Sequence, residues 1–264
     1  METNLTPHEY FAPFSQIIPD FSAFCKKLSD PLPVHLRINT LKANVRETHS
    51  RLEQQGISLV EENHLPLVYR GENISQPGHL LEFSLGHLHS QALSSVLAAL
   101  VLEAKPGELV LDLCAAPGGK TSVLAEIMQN RGIIVAHDRN PNRLISLRAN
   151  LKRLGITNTV ITRYPGQHFP KRFGFDRILV DVPCSAEGTL RAGPKGTFRQ
   201  ATWASEKLTR LQRDLLLRGF DLLVVGGTLV YSTCTYSPEE NESVVQFLIE
   251  NSPAEIQPIG LDLP

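Results

Sequence analysis

The sequence predicts an α/β fold: a doubly wound, mostly parallel sheet preceded by a small N-terminal α/β unit. Three observations point there. Short continuous apolar runs alternate with helical stretches over the later two thirds of the chain, the pattern of strands buried on both faces of a parallel sheet. A glycine-rich turn follows the first of these runs and opens a helix, as at the ligand-binding end of such sheets. The first third lacks this alternation and is broken by prolines and short polar stretches.

Taken in order, Thr6-Pro7-His8-Glu9 has the form of a capping box, with Thr6 at the N-cap, Pro7 at the first helical position and Glu9 two further on. The helix it starts runs to about Leu28, interrupted at Pro13 and Pro19, and Pro31 and Pro33 end it. Val34–Ile38 alternates like a strand, Asn44–Gln55 is a polar helix closed by Gly56, and Leu67–Tyr69 is a second short strand. Residues 1–85 are therefore expected as the small unit and 86–264 as the main domain. There, Gln91–Leu102 reads as an apolar helix stopped by Pro106-Gly107. The strands follow at Leu109–Leu113, Ile133–His137, Val160–Thr162, Arg177–Val182 and Thr228–Tyr231, the last after a long helix near Glu206–Leu223. Right-handed crossovers make such a sheet doubly wound and place its ligands at the carboxyl ends of the strands, near the switch point.

Composition narrows the function. Of the 264 residues 42% are hydrophobic and 20% charged, which permits a substantial core and excludes wholesale disorder. No run approaches the roughly 20 apolar residues of a membrane span. Met1-Glu2-Thr3-Asn4 is neither basic nor followed by an apolar block, so no secretory leader is expected. The four cysteines, Cys25, Cys114, Cys184 and Cys234, are scattered and form no Cys-x-x-Cys pair, so neither a disulfide framework nor a metal site is expected, and the reducing cytoplasm is the default compartment. The net charge of −1 conceals a basic middle: residues 111–235 hold 18 Lys and Arg against 9 Asp and Glu, while both flanks are acidic. That suits a polyanion-facing surface or, equally, solvated helix faces.

The turn after the first main strand reads Cys114-Ala115-Ala116-Pro117-Gly118-Gly119-Lys120. Small residues admit a ligand close to the backbone, and the helix that follows offers free N–H groups. Cys114 stands where a Walker A loop needs glycine, and Gly-x-Gly-x-x-Gly is absent, so nucleoside triphosphate and nicotinamide cofactors fit poorly. Asp138 ends the second strand about 20 residues beyond the glycines, where an acid commonly receives ribose hydroxyls. It also opens the turn in which Asn140 caps the next helix with Pro141 at its first position. Two cysteines lie just past the carboxyl ends of strands, in Asp181-Val182-Pro183-Cys184 and Ser232-Thr233-Cys234. Thiolates are strong nucleophiles, and a desolvated carboxyl group beside them can act as an acid. Cys114 is read as packing, Cys25 as core, and His87 and His89 as structural.

Asp112-Leu-Cys-Ala-Ala-Pro-Gly-Gly-Lys-Thr121, Asp181-Val-Pro-Cys184 and Ser232-Thr-Cys234, in this order, resemble the RNA (cytosine-5) methyltransferases of the Nol/Nop/Sun type. The likeness extends from about Pro33 to Glu250 and includes Arg37-Ile-Asn-Thr-Leu-Lys42. It implies a class I, Rossmann-like methyltransferase fold, S-adenosylmethionine as cofactor and a cytosine in rRNA or tRNA as substrate. Carried over by position, the cofactor loop falls on Cys114 through Lys120, the ribose acid on Asp138, and the acid bordering cofactor and base on Asp181. The nucleophile falls on Cys234 and the cysteine of product release on Cys184. The basic segment would hold phosphates, with Arg191, Lys195 and Arg199 after Cys184 as candidates beside Arg37 of the N-terminal unit. Phe198 and Trp203 are weaker candidates for stacking on bases.

Two departures from the family pattern stand out. Tyr164-Pro165-Gly166 occupies the place of an Asp-Gly pair whose Asp meets the adenine. The last helix, capped at Ser237-Pro-Glu-Glu240, runs to about Asn251 and leaves 13 residues with one expected strand, Glu255–Ile259, so the usual terminal hairpin is expected to be incomplete and the fifth main strand to show an open edge. Two other readings compete: a DNA cytosine-5 enzyme with Cys184 as nucleophile, and a cofactor-binding but inactive RNA-binding or ribosome-assembly factor. Oligomeric state is open, a monomer being the default.

Overall fold

In chain order the elements are β1 (Asn4–Leu5), α1 (Pro7–Phe11), α2 (Phe21–Lys27), β2 (Val34–Ile38), α3 (Val45–Gln54), β3 (Ser58–Glu61), β4 (Val68–Glu72), α4 (Leu81–Ser84), β5 (Leu88–Ser90), α5 (Leu93–Leu100), β6 (Leu109–Asp112), α6 (Gly119–Ile127), β7 (Ile133–His137), α7 (Pro141–Leu154), β8 (Thr159–Thr162), β9 (Phe175–Asp181), β10 (Phe198–Arg199), α8 (Glu206–Leu222), β11 (Leu223–Ser232) and α9 (Glu242–Asn251). This computed structural model describes residues 4–62, 65, 67–190, 198–199 and 205–260. Contacts divide the chain into two compact units, one of residues 1–32, 182–214 and 233–254, the other of residues 33–181, 215–232 and 255–264.

The larger unit carries a parallel sheet in the order β11-β9-β6-β7-β8. Connections run outward from β6 in both directions, so the order reverses between β6 and β9, as the doubly wound expectation requires. The apolar strands are covered on both faces. Val110, Ile134 and Leu179 pack in one cluster with Val96 and Ala99 of α5 and Val123 and Leu124 of α6. Ala136 packs in another with Leu144, Leu147 and Leu151 of α7. A four-stranded antiparallel sheet, β3-β4-β2-β5, belongs to the same unit and packs Ile38, Tyr69 and Leu88 with Leu52 of α3.

The Arg37–Lys42 segment fastens that small sheet to the main one. Buried Arg37 pairs with Glu126 and donates to Ser122 Oγ at 2.6 Å, both on α6. Asn39 Nδ2 donates to the carbonyls of Gly86 and Leu154 at 2.8 Å each, Thr40 N–H donates to Glu126 at 2.7 Å, and Lys42 Nζ reaches the Arg153 carbonyl at 3.0 Å. The division therefore differs from the expected boundary at residues 85/86: β2 to β5 share one compact unit with the parallel sheet because these polar groups tie them to α6 and α7.

In the smaller unit the capping box forms, with Thr6 N–H donating to Glu9 at 2.8 Å and Glu9 N–H to Thr6 Oγ1 at 3.3 Å. β1 pairs with β10. Tyr10, Phe11, Phe14 and Phe198 form a buried aromatic cluster with Phe24 and Tyr236.

Four differences from the sequence expectations are physical. β3 and β5 were not anticipated: β3 is largely exposed and β5 has three residues, so neither makes a long apolar run. α9 starts at Glu242 and not directly after Ser237, because 238–241 form a turn that carries the Glu240 side chain into the interior. Residues 255–259 form no strand, and Ile256 and Ile259 are exposed. β11 begins five residues earlier than expected, with a register irregularity between Leu223 and Thr228, and occupies the sheet edge. No described helix is long and apolar enough to cross a membrane.

Leu124 is fully buried between α6 and the sheet. Leu124→Ala is expected to destabilise the fold by about 2–5 kcal/mol, seen as a lower urea midpoint. An unchanged midpoint would contradict this packing.

Candidate functional site

The chemistry begins where β6 ends. Beyond Asp112 the chain turns through residues 113–118 into α6, and Gly118 sits at φ +102°, in the left-handed region. A Cβ on Gly118 would lie 2.8 Å from Leu147 Cδ1, so the turn needs glycine for both conformation and space. Its carbonyls are held from α7: Asn150 Nδ2 donates to Pro117 O at 2.9 Å and Arg143 donates to Ala116 O. Ala115 N–H donates to His137 O at 2.7 Å, tying the turn to β7.

This turn lines a cleft of about 210 Å³. Its walls include Cys114 through Pro117, Gly119 and Lys120, with Asp112 and Asp181 at strand ends and Gln91 opposite. The residues suit a polar organic ligand of the kind the family resemblance implies. Asp112 is 1% exposed, with Oδ2 bonded to Thr121 at 2.7 Å and Oδ1 unpartnered among the described residues. Burial pushes its carboxyl group up to about 7, against the Thr121 hydrogen bond. Both amide atoms of Gln91 are also buried without a partner among the described residues, and a Cβ on Gly119 would crowd its Nε2 at 3.3 Å. Burial and the surrounding acids push the Cys114 thiol far up, which disfavours its thiolate.

Asp181 is held on both oxygens. Lys120 Nζ donates to Oδ2 at 2.7 Å, and Ser232 Oγ, opposite Asp181 in the β9–β11 pairing, donates to Oδ1 at 2.7 Å. Asp138 is 3% exposed, accepts Asn140 N–H at 2.8 Å and faces Arg143 at 3.2 Å, while Asn140 caps α7. It thus serves the turn, and it is not among the residues lining the cleft.

The second cluster lies in the smaller unit. Cys184 Sγ and Cys234 Sγ are 3.1 Å apart, and Cys234 N–H donates to Cys184 Sγ at 3.3 Å. Cys234 is exposed and Cys184 half-buried. The Cys234 thiol, with the Cys234 and Ala186 backbone N–H groups, lowers the Cys184 pKa to about 7, against burial and the charge of Glu240. A pair of thiols, one of them with its pKa lowered by its neighbours, offers both a nucleophile and a proton acceptor. Cys25 is a buried core residue, as expected.

The structure removes Arg37 from the expected phosphate contacts: it is 3% exposed, its guanidinium faces Glu126 and Ser122 inside the fold, and burial lowers its pKa to about 10. Arg199 lies on β10 by its backbone. Arg191, Lys195 and Trp203 fall outside the described residues, and Phe198 is buried in the aromatic cluster, away from any base. Sequence reasoning missed Gln91 on the cleft wall and buried Glu240 and Gln212 beside the thiols. Gln91 read as a helix start and Glu240 as part of the cap of the last helix, and no local signal distinguished them. His89, lining the cleft, accepts from Arg153 at 2.9 Å, and burial lowers its pKa to about 3, so it stays neutral.

Residues 99–262 match the family described as 16S rRNA methyltransferase RsmB/F. A tRNA (cytosine(49)-C(5))-methyltransferase of Pyrococcus abyssi is 39% identical, over 93% of this chain and 80% of the relative. The 28S rRNA (cytosine(4447)-C(5))-methyltransferase of Homo sapiens is 39% identical over 88% of this chain, which spans only 29% of that relative; for a mouse 28S rRNA (cytosine-C(5))-methyltransferase the share is 32%. The crystal structure of a methyltransferase homolog from Pyrococcus horikoshii is 36% identical with a TM-score of 0.77, covering 88% of this chain and 74% of that one.

Alkylation of Cys184, followed by peptide mass spectrometry across pH, should rise with a midpoint near 7, since the thiolate is the reactive form. In Cys234→Ala the midpoint should move up toward the ordinary thiol value of about 8.5, because the main stabilising hydrogen bond is gone. Identical midpoints in the two proteins would rule out the thiol–thiol contact as the cause.

Proposed function

Because the chain belongs to the RsmB/F family of RNA (cytosine-5) methyltransferases, of the Nol/Nop/Sun type and the class I Rossmann-like fold, we propose that it transfers a methyl group from S-adenosylmethionine to C5 of a cytosine in ribosomal or transfer RNA. The observation that most directly supports this reading is the pair of thiols at Cys184 and Cys234, 3.1 Å apart. Cytosine C5 is too weak a nucleophile to attack a methyl donor unaided, and a thiolate added at C6 removes that obstacle.

S-adenosylmethionine supplies an electrophilic sulfonium methyl when bound. The turn from Cys114 to Lys120 would hold it in the cleft, with Asp181 at the border, and the family resemblance would make Asp138, which lies outside the cleft lining, the ribose acceptor. Lys120 and Ser232 fix the Asp181 carboxylate by one hydrogen bond on each oxygen. The exposed Cys234 thiol gives its proton to the Cys184 thiolate and adds through Sγ to C6 of the base, while Asp181, having taken a proton from the Lys120 ammonium bonded to its Oδ2, passes it to N3. Electron density then returns through C5, which takes the methyl group. The N3 proton goes back to Asp181, the C5 proton passes to a base, and the C6–Sγ bond breaks to restore the Cys234 thiolate. Cys184, with its lowered pKa, assists this release. Such a base must leave its stack, which favours loops or single-stranded RNA. Residues 1–85, with Arg191, Lys195 and Arg199, are proposed to hold the RNA backbone.

The test is transfer of labelled methyl from S-adenosylmethionine to unmodified total RNA. Wild type should label cytosine, Cys234→Ala should lose on the order of 10³-fold or more, and Cys184→Ala should accumulate a covalent protein–RNA adduct at Cys234. An adduct at Cys184 would reverse the two roles, the arrangement of a DNA-type enzyme. Cofactor binding without turnover would leave a catalytically inactive RNA-binding factor, a reading to which Pro165, with neither carboxylate nor N–H at the adenine position, lends some support.

A further inference from the structure

We infer that Glu240 and Asn241 are positioning residues that set the separation of the two thiols by holding the neighbours of each cysteine. Glu240 is 0% exposed, yet its carboxylate lies in an acid-rich stretch with solvent-loving composition. Burying a carboxylate is costly unless donors meet it. Here three do. Ser185 N–H donates to Oε2 at 3.1 Å, the Ser185 hydroxyl donates to Oε1, and Gln212 Nε2 donates to Oε2 at 2.6 Å. The same Gln212 nitrogen donates to the Pro183 carbonyl at 2.9 Å. Pro183 and Ser185 flank Cys184, so one carboxylate tethers the chain on both sides of that thiol.

The next residue does the same for Cys234. The Thr233 hydroxyl donates to Asn241 Oδ1 at 2.6 Å, and Asn241 Nδ2 donates to the Thr235 carbonyl at 3.1 Å. Thr233 and Thr235 flank Cys234. Two cross-links join the halves: the Ser185 and Thr235 hydroxyls are hydrogen bonded at 3.1 Å, and Gly188 N–H donates to Cys234 O at 2.9 Å. A Cβ on Gly188 would sit 2.9 Å from that oxygen, so the approach requires glycine. Consecutive residues on one turn therefore fix both thiol-bearing segments. An amide at position 240 can keep its oxygen toward Ser185 N–H and Gln212 and turn its NH₂ to the Ser185 hydroxyl oxygen, so the tethers need a polar side chain of this length and are cut only when it is removed.

The catalytic consequence rests on the proposed methyl transfer: a thiol that assists release must stay within reach of the adduct formed at the other. The test separates that reading from the geometry. Phenylarsine oxide bridges two thiols only at a suitable spacing, and its binding needs neither RNA nor cofactor. In wild type, one equivalent should protect Cys184 and Cys234 together from alkylation. Glu240→Ala and Asn241→Ala should each weaken bridging tenfold or more while both thiols still react singly and circular dichroism stays that of the folded protein. Glu240→Gln keeps an oxygen toward Ser185 N–H and Gln212 and should bridge like wild type, and Ser185→Ala keeps its backbone N–H bond to Glu240 and should lose less than Glu240→Ala. In methyl transfer, Glu240→Ala should lower kcat with KM for RNA unchanged and let the Cys234 adduct accumulate. Wild-type bridging in a folded Glu240→Ala protein, or no bridging in wild type, overturns the inference. Should Glu240→Ala fail to fold, Asn241→Ala decides by the same readout. Loss of methyl transfer with bridging intact tells against the proposed function instead.

Discussion

Parallel pairing in the central sheet is the constraint on which the remaining structure depends. β6, β9 and β11 run in one direction, with Asp112 opposite Leu179 and Asp181 opposite Ser232. In a parallel ladder the carboxyl ends of all strands share one edge, so every turn leaving a strand there starts from the same rim. The cleft residues from Cys114 to Lys120 leave from β6, and Asp181 closes β9. Alignment also explains how Asp181 is held: Ser232 reaches one oxygen from the partnered strand, and Lys120 reaches the other from the first turn of α6. A one-residue slip of β11 would turn Ser232 to the opposite face and release the carboxylate.

The second organising feature is the use of buried polar groups as fasteners. Arg37, Asn39, Thr40 and Lys42 join the antiparallel sheet to α6 and α7, and the cost of burying the Arg37 guanidinium is offset by Glu126 and Ser122. Glu240 and Asn241 serve in the smaller unit as Arg37 and Asn39 serve in the larger. In both places a charged group and the amide near it satisfy several backbone or hydroxyl groups at once, which ties segments far apart in sequence more rigidly than apolar packing alone.

Electrostatics divides the chemistry between the cysteines. Cys114 sits beside buried acids with its thiol held protonated, which leaves it a packing and backbone role in the cofactor turn. Cys184 receives donors from Cys234 and Ala186, which stabilise its thiolate. Identical residue types a few positions beyond strand ends thus acquire opposite properties from the donors or acids around them.

What could be read from the sequence alone was whatever depends on local pattern. Apolar runs located the five strands of the parallel sheet to within a few residues, except the early start of β11, and the capping residues Thr6 and Asn140 located two helix starts. The turn from Cys114 to Lys120, Asp181 and the two cysteines were legible because each is tied to a strand end, and strand ends are fixed by periodicity. Tertiary structure alone decided the rest, because burial and partnership depend on which distant segments meet. It buried Arg37, which the chain writes as one more cation suited to phosphate, and it turned Glu240 inward from an acidic run. It paired Lys120 with Asp181 across 61 residues and brought Cys184 against Cys234 across 50. Local composition carries no record of such separations; the packing of the chain on itself supplies them.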